Sequence, residues 1–89
     1  MPAREFRIIN EKGMHARAAA EFTRLAAKFK SAITVMREGI EVNGKSIMGV
    51  LMLAAYFEST IRVRAEGDDA EEALDALEAL VGSKFGEEA

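Results

Sequence analysis

One change of period constrains this chain more than any other feature. In "STIRVRA", Ser59 to Ala65, the side chains of Ile61, Val63 and Ala65 alternate with Arg62 and Arg64. That is the period-two pattern of a strand buried on one face. Almost at once, "GDDAEEALDALEALVG" moves to helical spacing, with Ala70, Ala73, Leu74, Leu77 and Val81 on a single stripe. Asp68 or Asp69 is expected to cap this helix, Glu71 or Glu72 follows three residues on, and Gly82 marks its end. A half-buried strand beside a one-faced helix predicts a sheet covered by helices on one side.

The rest of the chain repeats the theme. In residues 4–10, "REFRIIN", Phe6 and Ile8 alternate with polar neighbours and read as a strand, and "NEKG" is turn chemistry. From Ala16 to about Lys28, the residues Ala18, Phe22, Leu25, Ala26 and Phe29 recur at helical spacing. "SAITVMR" alternates again, reverses at Glu38-Gly39 and returns as a short strand from Ile40 to Val42, before a turn at Asn43-Gly44. Ser46 then stands as N-cap in front of the short helix "IMGVLML". The expected class is α+β, a β-α-β-β-α-β-α open-faced sandwich: a four-stranded, mainly antiparallel sheet with three helices on one face. Residues 1–89 are expected to form a single domain.

Composition removes several functions. With no cysteine there is neither a disulfide nor a thiolate nucleophile, and a cytoplasmic protein is expected. "MPAREFRIIN" lacks the features of a signal peptide, and the longest uncharged apolar run, Ile47 to Phe57, is 11 residues, too short for direct membrane insertion. Residues 1–45 carry nine Lys/Arg against five Asp/Glu, whereas residues 46–89 carry three against ten. This split reads either as ordinary solvated helix faces or as a basic surface for acidic partners on the first half. Nucleic acid is not expected, because the acidic half would repel phosphates and no basic stripe alternates with aromatics.

The chemistry gathers in "GMHARAAAEF", Gly13 to Phe22, which contains the sole histidine, His15. His15 falls at or beside the N-cap of the first helix, where amides lack internal partners and the macrodipole adds partial positive charge. Such a place disfavours imidazolium and favours a bound anion. A neutral imidazole is a competent nucleophile toward phosphorus, with the amides of Ala16 and Arg17 and the Arg17 guanidinium available to the phosphoryl oxygens. An ordinary histidine near a helix start is the competing reading. No metal site is expected, since no second His and no Cys accompanies it.

"GMHARAAAEF" resembles the active-site signature of the histidine-containing phosphocarrier (HPr) family of the bacterial phosphotransferase system, a glycine, a hydrophobic residue, then His-Ala-Arg-Pro-Ala. "KSIMGVLML", Lys45 to Leu53, is similar to the family's second signature around a regulatory serine. The resemblance spans essentially the whole chain. It implies a stoichiometric phosphoryl carrier rather than an enzyme, with no cofactor. His15 would accept a phosphoryl group on Nδ1 from phosphoenolpyruvate by way of Enzyme I and pass it to EIIA-type acceptor domains, with Arg17 stabilising the phosphate. One departure stands inside the motif: Ala18 replaces the family proline, which forgoes a fixed φ but keeps the helix.

The second helix is nearly all apolar. With Val50, Leu53 and Phe57 inward, its geometry turns Ile47, Met48 and Leu51 to solvent as a docking surface. The resemblance assigns these positions to Enzyme I, acceptor domains and the regulatory HPr kinase/phosphorylase, whose substrate would be Ser46. About two negative charges beside Ile47 and Met48 would gate docking without unfolding the domain. Arg24 and Lys28 could flank that face, and Tyr56 and Phe57 are expected to fill a gap in the core. A monomer is expected. Two other readings share these residues: a nitrogen-type regulatory paralogue, and a Ser46-controlled binding module without a transport role.

Overall fold

A computed structural model describes residues 2–89. Strand β1 is Ala3–Arg7, helix α1 Ala16–Ala26, β2 Ala32–Arg37, β3 Ile40–Asn43, α2 Ile47–Met52, β4 Thr60–Glu66 and α3 Ala70–Gly82, followed by a 3-10 turn at Lys84–Gly86. The sheet order is β1-β4-β2-β3 and every neighbouring pair is antiparallel. The expected class and element order are therefore the observed ones.

Register explains the core. Phe6 lies opposite Ile61, Val35 opposite Val63, and Ile33 opposite Ala65, and all six are buried. Their strand neighbours Glu5 and Arg62 stay exposed on the open face. The helices lay Ala18, Ala19, Phe22 and Ala26 of α1, Val50 of α2, and Ala70, Ala73, Leu74, Leu77 and Val81 of α3 on the inner face. Each large apolar side chain buried in this way contributes about 1.5–3 kcal/mol.

Several local expectations need correction. Helix α1 stops at Ala26, and its chain continues through tight turns, Lys28 N–H to Leu25 O and Phe29 N–H to Ala26 O. Asp69 occupies the N-cap position of α3 but makes no capping bond. Its carboxylate instead accepts from the Lys30 and Ser31 amides and the Ser31 hydroxyl, stitching the start of α3 to the approach to β2. Phe57 and Tyr56 do not fill the core: they are 42% and 61% exposed. Helix α2 ends before them, so helical spacing no longer governs where they point. The Tyr56 ring lies under the Arg37 guanidinium, 4.6 Å away, and Arg37 also donates to the Leu53 carbonyl.

The last residues are the part of the chain with the least local signal. After α3, Lys84 (φ 59) and Phe85 (φ 56) both take left-handed backbone conformations, unusual for side-chain-bearing residues. Burial of the Phe85 ring, 1% exposed, accompanies that strain and turns the tail back across the molecule. The Ala89 carbonyl then accepts from the Glu11 amide.

Candidate functional site

His15 is the N-cap residue of α1, in extended backbone conformation, and its side chain makes no capping bond. Its carbonyl accepts from Ala19 N–H at 2.8 Å, the first intrahelical bond. The amides of Ala16, Arg17 and Ala18 consequently have no partner within the helix. Ala16 and Arg17 are exposed, whereas Ala18 is fully buried.

The loop that presents His15 is held from both sides. Gly13 has φ +66, and a Cβ there would come within 2.8 Å of the Ala55 carbonyl oxygen and 2.9 Å of Tyr56 Cα. Glycine is required here by conformation and by contact together. Met14 N–H donates to the same Ala55 carbonyl at 2.8 Å, so the site loop abuts the segment that follows α2. Asn10, fully buried, donates through Nδ2 to the Gly13 carbonyl at 2.8 Å, and its Oδ1 is buried without a partner.

Glu87 reaches this loop from the other end of the chain. Its Oε2 lies 2.6 Å from His15 Nε2 and 2.7 Å from Arg17 Nη2, and its Oε1 accepts from Asn10 Nδ2 at 3.0 Å. Burial opposes the charge on Glu87, whose side chain is 9% exposed. Hydrogen bonds with His15 and Asn10, and electrostatic interaction with His15 and Arg17, outweigh that burial and hold its carboxyl below the ordinary range. The carboxylate is therefore ionised near neutral pH.

His15, Ala16 and Arg17 stand together at the start of α1, where the Arg17 guanidinium is engaged by Glu87 and, at 3.5 Å, by Glu21. Sequence reasoning missed Asn10 and Glu87. Asn10 reads as turn chemistry, and Glu87 lies 72 residues from His15. The His15 side chain remains 28% exposed and engages a carboxylate through one ring nitrogen. Among the described residues, no cluster of His, Cys, Asp and Glu is arranged to hold a metal ion, and no helix is long and apolar enough to cross a membrane.

Ser46 caps α2, accepting from the Gly49 amide at 3.1 Å. Beyond it, Ile47 is 45%, Met48 72% and Met52 70% exposed. Leu51 is a correction: it is half-buried and packs against the core. At about 100° per residue, Met48 and Met52, two positions either side of the buried Val50, lie about 160° around the helix from it, whereas Leu51 lies only about 100° away, on the flank. Met52 takes the exposed place expected of Leu51. Arg24 and Lys28 are exposed and unpaired among the described residues. Lys45 is half-buried, with its ammonium on the Phe29 carbonyl at 2.7 Å.

Known proteins resemble this arrangement over its whole length. Residues 2–83 match the family described as the PTS HPr component phosphorylation site. Phosphocarrier protein HPr of Cupriavidus necator is 49% identical over 87 residues, covering 98% of each chain, and that of Neisseria meningitidis is 48% identical over 80 residues, covering 90% of each. The solved structure of HPr-C-His from Thermoanaerobacter tengcongensis is 46% identical, covers both chains completely and superposes with a TM-score of 0.96. A fold, a signature and a full-length likeness agree: this chain belongs to the HPr family of phosphocarrier proteins of the phosphotransferase system.

Proposed function

We propose that this chain, acting as one monomeric domain in the cytoplasm, accepts a phosphoryl group on His15 from phospho-Enzyme I. It passes that group to EIIA-type acceptor domains for sugar uptake. The observation carrying this reading is an accessible imidazole at the N-cap of α1, with the free amides of Ala16 and Arg17 next to it. Those amides and the positive end of the helix suit an arriving phosphoryl group, and covalent transfer through imidazole needs no pocket of its own. Arg17 would contribute its guanidinium once the Glu87 contact is exchanged for phosphoryl oxygens.

Ile47 and Met48 form, with Arg24 and Lys28 as a basic flank, the surface that meets these partners. Leu51 adds its partly exposed edge. Ser46 is the regulatory site for HPr kinase/phosphorylase. A phosphate there suits the helix start, while its charge beside Ile47 and Met48 opposes apolar docking. The "KSIMG" motif favours this serine-controlled carrier over the nitrogen-type paralogue.

Incubation with Enzyme I and labelled phosphoenolpyruvate tests the reading. The expected product carries an acid-labile label, retained in Ser46→Ala and lost in His15→Ala. An acid-stable label, formed only with ATP and a kinase, would overturn His15 as the acceptor of the relay.

A further inference from the structure

Glu87 lies outside residues 2–83, the stretch matched by the family, yet it touches three groups of the site. Its placement is built into the fold. The left-handed pair Lys84 and Phe85 reverses the chain, Phe85 is anchored in the core, and Ala89 is tied to the Glu11 amide. An ionised carboxylate only accepts hydrogen bonds, and Oε2 already accepts from Arg17 Nη2. In the 2.6 Å contact with His15, the proton therefore resides on Nε2. A neutral ring with Nε2–H carries its free lone pair on Nδ1.

We propose that Glu87 is a positioning residue that holds His15 as its Nε2–H tautomer and so makes Nδ1 the nitrogen that attacks phosphorus. This rests on His15 being the phosphoryl acceptor and names the group that decides which ring nitrogen reacts. In the step, the Nδ1 lone pair forms a new N–P bond while the N–P bond of the phosphohistidyl donor breaks. The electron pair of the broken bond returns to the donor ring. The proton on Nε2 stays where it is, and the positive charge that develops on the His15 ring faces the Glu87 carboxylate. Return transfer to an acceptor runs the same steps backwards, with no proton to relocate.

Phosphoramidate, a small N–P donor, tests this without a protein partner. Full-length protein labelled with 15N is phosphorylated, and the isomer formed on residue 15 is read by NMR. Wild type is expected to give Nδ1-phosphohistidine alone. Glu87→Ala is expected to lose that exclusivity and yield the Nε2 isomer as well. Glu87→Gln, whose amide oxygen still accepts from Nε2–H, is expected to restore Nδ1 selectivity. A role confined to anchoring the tail would lower Tm in Glu87→Ala and leave the isomer unchanged. Exclusive Nδ1 product from Glu87→Ala overturns the proposal. Should that variant not fold, the Nε2–H resonance in Glu87→Gln decides: it must move upfield and exchange faster, and an unchanged resonance overturns the proposal equally. Failure of Enzyme I to label wild type would sink the carrier reading while leaving the isomer readout intact.

Discussion

At the scale of single residues, the site depends on a glycine as much as on its histidine. Gly13 combines a left-handed φ with backbone atoms of Ala55 and Tyr56 closer than a Cβ tolerates. Gly13→Ala should therefore strain the loop and push it off the 54–59 segment, with a cost of about 1–3 kcal/mol. Chemical denaturation checks this, and a loss below about 0.5 kcal/mol, the range of neutral surface changes, would contradict it. Asn10 shows a different constraint. Its amide nitrogen spans Gly13 and Glu87 while its oxygen is buried unpaired, a cost accepted at the site. Ala18, where the family has proline, is fully buried in the first turn, and its amide has no intrahelical partner, so no hydrogen bond would be lost to a proline there.

At the scale of elements, side chains that look like local caps act across the fold. Asp69 bridges from α3 to Lys30 and Ser31, and its carboxyl is held below the ordinary value by the Ser31 hydroxyl first and the Lys30 amide second. A depressed folded-state value means stability that is fully present above the ordinary carboxyl value and lost as pH falls through the lower folded one. Asp69→Asn should thus melt at a lower temperature than wild type at neutral pH, and the gap should narrow as pH falls below 3.8. Parallel melting curves at every pH would contradict this assignment. Arg4 makes a similar long-range tie, joining β1 to Glu71, Asp75 and Glu78 of α3. Helix α2, by contrast, was legible to the level of its capping serine, while its flank residue Leu51 and Phe57 beyond its end were misassigned.

At the scale of the whole molecule, the charge split along the sequence is partly consumed internally. Arg4, Arg7 and Arg17 from the basic half pair with carboxylates from the acidic half. What remains free on the proposed docking side includes Arg24 and Lys28. The double variant Arg24→Glu/Lys28→Glu should slow association with Enzyme I by about tenfold at low salt, with the difference shrinking as ionic strength rises. Ser46→Asp should weaken the same association through apolar desolvation, with less dependence on salt. Stopped-flow binding at two ionic strengths separates the effects, and equal kinetics for all three proteins would remove both contributions.

The sequence alone determined the strands, the helices, the stripe of α3 and the nearness of His15, Ala16 and Arg17, because periodicity and capping are short-range consequences of backbone geometry. Tertiary structure alone decided that Glu87 closes on His15, that Asp69 serves β2 rather than its own helix, and that Tyr56 and Phe57 face solvent. The first depends on where the tail lies once Phe85 is buried and spans 72 residues, and the second spans 38. The third follows from α2 ending at Met52, and no local pattern encodes such placements.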